Sequence, residues 1–430
     1  MKTIKIGIIG FGTIGSGLVK ALEEKRALLR ERAGVDIEIA AICDKDIKSK
    51  RPVKVSKKIL TKSIGKVLYD PEIDIVVELV GGIHPAKDMI SEALRQGKHV
   101  VTANKALLAE AGYEIFNLAN SLGLSVGFEA SVAGGVPIIR ALKESFVANR
   151  IGLIYGIING TSNFILTKMA EGGSSFKEAL KIAKTKGYAE RDPDLDISGG
   201  DSAHKLSILA LLGFGIFVNA KKIYTEGITD IEPSDMEYAA DQGYTIKLLA
   251  IAKRSGDLLE LRVHPTLIPK GDLLADVRGI YNAIFVKGDL VGENLFFGEG
   301  AGASATSSAV VSDIVSIAKN IASGAKRPGK GISFKKDVKG MKRMDDVKMR
   351  YYLRFSALDR PGVLAKISGI LGKNRISIAS VTQKEKRASK AVPVVMMTHE
   401  ALERDMARAL KTISGLKAIT GKTVRLRVEG

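Results

Sequence analysis

A chain of 430 residues, 45% of them apolar, has room for roughly two to four domains, each with a real core. Lysines and arginines outnumber acids 66 to 47, giving a net charge of +19. The basic residues are spread along helices and into the stretch Lys326 to Arg350 without the aromatic interleaving that single-strand binders use, which argues against nucleic acid or a membrane as partner. One cysteine, Cys43, excludes an intrachain disulfide and any cysteine-based metal site. No stretch of about eighteen uncharged apolar residues occurs, and the N-terminus reads as strand and turn rather than signal peptide, so the cytoplasm is the expected compartment.

Residues 3–9, TIKIGII, form a short apolar strand that runs into Gly10-Phe11-Gly12-Thr13-Ile14-Gly15 and then a helical pattern through EEKRALLRER. Strand, glycine turn and helix in that order make a dinucleotide site, in which the glycines permit a tight turn and close approach of the backbone to a pyrophosphate. The second strand, 36–42, ends at Cys43-Asp44. Asp44 suits the ribose hydroxyls of NAD, whereas Lys45, Lys48, Lys50 and Arg51 just beyond it suit a 2′-phosphate, so NAD and NADP both stay open. The long first helix accounts for a glycine-to-acid spacing larger than usual.

Further strands are expected at 73–80, 98–102 and 124–128, with helices between them. This alternation predicts an α/β chain with a Rossmann-type, doubly wound parallel sheet, whose ligands gather at the carboxyl ends of strands. Thr102, Ala103, Asn104 and Lys105 sit at such an end, and Lys105 is either a catalytic candidate or a helix-start lysine. After the last of these strands comes Glu129 in EASVAGGVP. One carboxylate among kinked carbonyls suits a monovalent cation, and equally suits a buried glutamate bonded to amides. Thr161-Ser162-Asn163 is expected to cap the helix FILTKMAEGG.

The stretch GYAERDPDLDISGGDSAHK, 187–205, carries the acids Glu190, Asp192, Asp194, Asp196 and Asp201 ahead of an almost wholly apolar helix. Pro193 and Gly199-Gly200 argue against helix before Asp201. Asp201 and Lys205 then stand four apart on one helical face, and because the helix continues as an apolar run its first turn is expected to point inward. Strand-like and helical pieces alternate to about residue 294, which predicts a second, mixed α+β domain. The turn Phe297 to Gly302 opens a helix, 304–322, that returns to the cofactor domain. Residues 323–348 read as a basic linker. The pattern of 349–430 is βαββαβ, a ferredoxin-like module without a catalytic cluster. The expected domains are therefore a nucleotide-binding domain, 1–135 with a return segment 298–322, a substrate-binding and dimerisation domain, 136–297, the linker, and the C-terminal module.

Taken together, GFGTIG, VVTANKALLA, FEASVAGGVP, GIINGTSNFILTKM, GYAERDPDLDISGGDSAHK and GEGAGASATSSAVVSD make the chain resemble homoserine dehydrogenase over essentially its full length. LDRPGVLAKISGIL resembles the first loop and helix of ACT domains, and no aspartate kinase domain precedes, as in the monofunctional form. The resemblance implies NAD(P)-dependent hydride transfer between L-homoserine and L-aspartate 4-semialdehyde, in threonine, methionine and isoleucine biosynthesis. It implies proton transfer by Lys205, a second catalytic lysine at Lys105, and substrate binding by Glu190, Asp196 and Asp201. It also implies cofactor contacts at the glycine turn, Asp44, Lys45, Thr102, Lys105 and Gly302, and a sodium or potassium site at Glu129 with the carbonyls of Val132, Gly134 and Val136. Cys43 stands where many NADP-preferring relatives carry arginine. For the ACT module, an amino-acid effector such as threonine is expected at Asp359, Arg360, Pro361, Gly362 and Gln383, in a homodimer or homotetramer.

The chemistry agrees with these residue types. Oxidising an alcohol needs a group that takes the hydroxyl proton, and a lysine that is desolvated or beside another cation exchanges a proton near neutrality. A thioester-forming semialdehyde dehydrogenase would need a thiolate in the site, and Cys43 lies on the adenosine side. A catalytically inactive amino-acid sensor on the same fold is the remaining alternative.

Overall fold

The computed structural model describes residues 1–324, 339–383 and 391–429. The chain divides into two units: Met1–Ile154, His204–Lys222 and Ile284–Asp337 in the first, and Tyr155–Ala203, Ile223–Ala283 and Val338–Gly430 in the second. Most of the sequence expected to be linker, 325–338, lies outside the described residues.

The first unit holds β1 (Lys2–Ile9), β2 (Val35–Cys43), β3 (Leu60–Thr61), β4 (Ile75–Glu78), β5 (His99–Thr102) and β6 (Val126–Gly127) in one sheet of order 3-2-1-4-5-6. Every pairing in it is parallel, the expected doubly wound arrangement. Ile4, Ile6 and Ile8 of β1 are wholly buried, and Leu18, Val19 and Leu22 of α1 (Thr13–Glu24) join their core. Val310, Ile314 and Ile317 of the helix Ala303–Ala322 belong to the same core, so this late helix packs on the first unit's sheet. The long first helix is in fact two, α1 and α2 (Arg26–Ala33), parted at Lys25. Arg26 and Arg30 on α2 both grip Asp36 of β2 through charge-paired hydrogen bonds of 2.6 to 3.0 Å. These bonds hold the Asp36 carboxyl well below the usual carboxylate range.

In the second unit the antiparallel hairpin Tyr244–Ser255 and Leu258–Pro269 continues into the C-terminal module, because Leu258–Pro269 pairs in parallel with Val424–Val428. Within the module the strand order is Val424–Val428, Lys348–Leu358, Ala391–Thr398, Ile378–Gln383, all antiparallel, with helices Val363–Lys373 and Glu403–Ser414. That is the expected ferredoxin-like βαββαβ fold. Strand Lys348–Leu358 shows the two-residue period: Tyr351, Leu353 and Phe355 enter the module's core with Ile367, Leu371, Met406 and Ile413. Its other face carries Tyr352 and Arg354, both bonded to the fully buried Asp235 on helix Pro233–Asp241.

No helix among the described residues is long and apolar enough to cross a membrane.

Candidate active site

Three glycines build the turn after β1, each for a different reason. Gly10 adopts φ +105°, and a Cβ there would lie 2.8 Å from the Leu79 carbonyl oxygen. At Gly15 a Cβ would overlap the carbonyl oxygen of Gly10, so α1 packs directly on the turn. Gly12 is the N-cap of α1; nothing lies within 4 Å of its absent Cβ, and no side chain caps the helix. The amide end of α1 is thus left for an anion, which fits a pyrophosphate. Beside the turn, Asp44 accepts the N–H of Phe11 at 2.5 Å and that of Asp46 at 2.7 Å. Arg51 Nε donates to the Phe11 carbonyl at 2.7 Å, with its guanidinium 5.7 Å from the Phe11 ring centre. The acidic and the basic candidates for the adenosine end therefore both lean on Phe11, while Lys45 is exposed.

The carboxyl ends of β4 and β5 are tied by Glu78, a residue that no sequence motif marks. Its side chain is wholly buried; one oxygen accepts the N–H groups of Val80 and Gly81, and the other accepts the hydroxyl of Thr102 at 2.7 Å. Thr102 in turn accepts the Asn104 N–H, and Asn104 donates to the Gly82 carbonyl while capping helix Lys105–Leu122 through the Leu107 N–H. Lys105, half-buried, is the first residue of that helix and is placed by that cap. Thr102 serves here as a strut between the two strand ends.

Glu129 is buried, and its two oxygens accept the N–H groups of Ile139 and Arg140 at 2.9 and 2.8 Å. Burial pushes its carboxyl up. Its own N–H goes to the buried Asp313, whose carboxyl burial lifts to about 7. Ala133 and Gly134, at φ +54° and +44°, turn the backbone so that Gly135 N–H meets the Glu299 carbonyl and Gly134 packs against Gly300. Gly302, at φ +111°, is the N-cap of helix Ala303–Ala322. Among the described residues no three His, Cys, Asp or Glu side chains cluster as a metal site. A site of one carboxylate and several carbonyls is a different donor set, and it suits a hard monovalent cation rather than a transition metal.

In the second unit the acids are organised by Asn159. Its side-chain amide donates to Asp196 at 2.7 Å and to Asp201 at 2.8 Å, and its carbonyl oxygen caps helix Gly160–Gly172 through the Ser162 N–H. Asn159, not the Thr161-Ser162-Asn163 triplet, is therefore the cap. Thr161 donates instead to the Tyr188 carbonyl, Ser162 to the Asp196 carbonyl, and Asn163 to the carbonyls of Val277, Gly279 and Tyr281. A short helix, Asp194–Ile197, forms between Pro193 and Gly199, because Pro193 starts a helix turn as readily as it blocks one. Asp196 is half-buried, Asp201 is 1% exposed, and Glu190 stands exposed on the preceding turn. Helix Gly200–Phe214 then carries Lys205 one turn beyond Asp201, and Lys205 is 7% exposed. As expected from the apolar run behind it, the first turn of this helix is buried.

Homoserine dehydrogenase family models cover the chain from both sides of this chemistry: the NAD-binding domain at residues 10–129 and the homoserine dehydrogenase domain at 137–315, with an ACT domain at 351–418. Homoserine dehydrogenases of Pseudomonas aeruginosa and Bacillus subtilis are 43% and 38% identical, each aligned over 100% of this chain and 99% of the relative. The chain belongs to the homoserine dehydrogenase family. It is an NAD(P)-dependent oxidoreductase of that family, and the inactive-sensor alternative has no support among the relatives. The crystal structure of a homoserine dehydrogenase from Thiobacillus denitrificans superposes with a TM-score of 0.94 at 44% identity, over 100% of this chain and 99% of that one. A hyperthermophilic archaeal homoserine dehydrogenase, solved in complex with NADPH, matches with a TM-score of 0.63 at 27% identity, over 73% of this chain and 97% of that one.

In the ACT domain, Asp359, Arg360, Pro361 and Gly362 form an exposed turn into helix Val363–Lys373, with Gly362 at φ +83°. Gln383 Nε2 reaches Asp359 Oδ1 at 3.5 Å, so the two ends of the expected effector site are neighbours. Glu78 and Asn159 are the two organising side chains that no sequence motif singles out. Asn159 ends an apolar strand and looks like any other helix cap, and only the fold shows that its second amide proton serves a second acid.

Proposed function

We propose that the chain interconverts L-homoserine and L-aspartate 4-semialdehyde, with Lys205 moving the proton and the acids of the second unit holding the amino-acid end. The observation that carries this reading is the pair of hydrogen bonds from Asn159 that draws Asp196 and Asp201 together one helical turn before Lys205. Two carboxylates drawn together by one amide concentrate negative charge that suits the substrate ammonium, and Glu190 adds a third charge at the rim. In oxidation Lys205 takes the hydroxyl proton as the hydride leaves the carbinol carbon; in reduction it returns it. Lys105, set by the Asn104 cap, steadies the developing charge on the reacting oxygen.

The nicotinamide of NAD or NADP supplies the hydride acceptor when bound. Residues 10–15, Asp44, Lys45, Thr102, Lys105 and Gly302 would hold the cofactor, and Arg51 is the nearest fixed cation for a 2′-phosphate. Glu129, with the carbonyls of Val132, Gly134 and Val136, would take sodium or potassium and stiffen the turn, since each Glu129 oxygen keeps a lone pair beyond the amide that it accepts. The ACT domain would bind an amino acid such as threonine at Asp359 to Gly362 and Gln383, in a cytoplasmic homodimer or homotetramer serving threonine, methionine and isoleucine synthesis.

Steady-state oxidation of homoserine with NAD and NADP in parallel, each with and without threonine, tests the reading. Turnover with at least one cofactor, lowered by threonine, is expected. Absence of reduced cofactor under every condition would overturn it.

A further inference from the structure

The segment 223–228 lies between the acid-bearing turn and the C-terminal module, and all three belong to the second unit. On one side it is the seat of that turn. Ile228 N–H donates to the Ile197 carbonyl at 2.9 Å, and a Cβ on Gly227 would overlap that same oxygen and stand 2.7 Å from Ser198 Cα. Gly199, at φ +85°, leaves 3.2 Å between its missing Cβ and the Glu226 carbonyl oxygen. The fit leaves no slack: any movement of 226–228 is transmitted to 196–199, which lead into Asp201.

On its other side the segment is gripped by charge. Glu226 N–H bonds the Val263 carbonyl, and Tyr224–Thr225 pairs in parallel with Arg262–Val263. The Glu226 carboxylate receives Arg425 at 2.6 Å and Arg427 at 2.6 Å, both from strand Val424–Val428 of the ACT domain. Arg427 is 0% exposed; it also donates to Tyr224 Oη at 2.6 Å and stacks 4.9 Å from the Tyr224 ring centre. Its remaining donors go to Glu403, at the start of helix Glu403–Ser414, which also accepts from Tyr351. Burial alone would raise the Glu226 carboxyl, but the bonds to Arg427 and Arg425 hold it at about 2.

We infer that Glu226 is a positioning residue: clamped by Arg425 and Arg427, it fixes Gly227 and Ile228 beneath the turn 196–201 and so sets the placement of Asp196 and Asp201 for the substrate. The ACT domain thereby holds the substrate acids through a side chain that touches no substrate. This inference rests on the reading of Asp196 and Asp201 as substrate ligands.

The test compares the full-length Glu226→Gln, Glu226→Asp, Asp196→Asn and Asp235→Asn variants, each checked by thermal melting. Glu226→Gln is expected to raise the homoserine KM about tenfold, the scale of one lost charge-assisted hydrogen bond, with kcat and the Kd for reduced cofactor within about twofold. Glu226→Asp, which keeps the charge and shortens its reach, should fall between it and the natural enzyme, and remains measurable if the glutamine variant fails to fold. Asp235→Asn breaks a different buried ion pair between the ACT domain and helix Pro233–Asp241. It should lower the melting temperature and leave KM alone. A Glu226→Gln enzyme that only melts earlier and keeps the natural KM, as expected of Asp235→Asn, or one whose KM and kcat move together, would overturn the inference while the substrate-acid reading stood. An Asp196→Asn enzyme with natural KM would remove that reading and the inference with it.

Discussion

In the glycine turn of the first unit the groups left at the end of α1 are backbone amides that no side chain caps, and the side chains that matter are those that are absent. Around Asn159 in the second unit the reverse holds: its side chain meets two carboxylates 37 and 42 residues further on at hydrogen-bond distance, and the backbone serves only to deliver them. The first arrangement depends on the Cβ atoms missing at Gly10 and Gly15 and on backbone groups rather than charged side chains. The second depends on charge and amide geometry and tolerates small shifts of volume. Substitutions in the two regions should therefore separate cofactor affinity from substrate affinity.

Lys205→Ala is the largest expected effect and would break the comparison most sharply. Removing the proton carrier should cut turnover by about a thousandfold, with the Kd for reduced cofactor, measured by fluorescence titration, within about twofold. If the cofactor affinity fell in step with turnover, Lys205 would belong with the first region instead.

Gly12→Ala sharpens it from the other side. The new methyl meets no protein atom within 4 Å, so the melting temperature should hold, yet it stands at the bare end of α1. The Kd for either cofactor should rise about tenfold by displacing a charge-assisted contact. Gly15→Ala, in contrast, drives a methyl into the Gly10 carbonyl and should lower the melting temperature as well.

The difference between the regions also explains what could be read in advance. Glycines at 10, 12 and 15 after a strand announce themselves, because Gly10 and Gly15 leave no room for a Cβ and Gly12 leaves the helix end bare, and the order of strands follows from the alternating pattern. The βαββαβ module was legible for the same reason, as was the burial of the first turn of helix Gly200–Phe214. Asn159, Glu78 and Glu226 were not, since an asparagine before a helix or a glutamate at a strand end has several ordinary uses. Which one applies depends on the register that brings Asp196, Thr102 or Arg427 alongside. The break at Lys25 and the short helix Asp194–Ile197 were missed because end effects of about one turn are decided by packing.

Arg51→Ala should have a smaller, selective effect. Its guanidinium is held at Phe11 beside the turn, so its loss should raise KM for NADP by about fivefold to tenfold, the range of one exposed charge-assisted contact. KM for NAD should stay unchanged; equal changes for both would assign Arg51 to the turn's structure alone.

The smallest effect is in acid. Because the Glu226 carboxyl is held at about 2 in the folded chain against an ordinary value of 4.5, its contribution to stability is complete above about pH 4.5 and fades as pH falls toward 2. Melting curves of Glu226→Gln should accordingly lose part of the acid-side slope in that window and match the slope of the natural protein between about pH 6 and pH 8, where Glu226 no longer titrates in either the folded or the unfolded chain.

The most direct test of the division between a backbone-built cofactor site and a side-chain-built substrate site is the Asn159→Ala enzyme, measured for homoserine KM and for reduced-cofactor Kd on the same preparation. With the shared amide gone, Asp196 and Asp201 lose their common partner, and KM should rise about tenfold or more while the cofactor Kd holds. A Kd that rises together with KM, or a KM that does not move, would contradict the account.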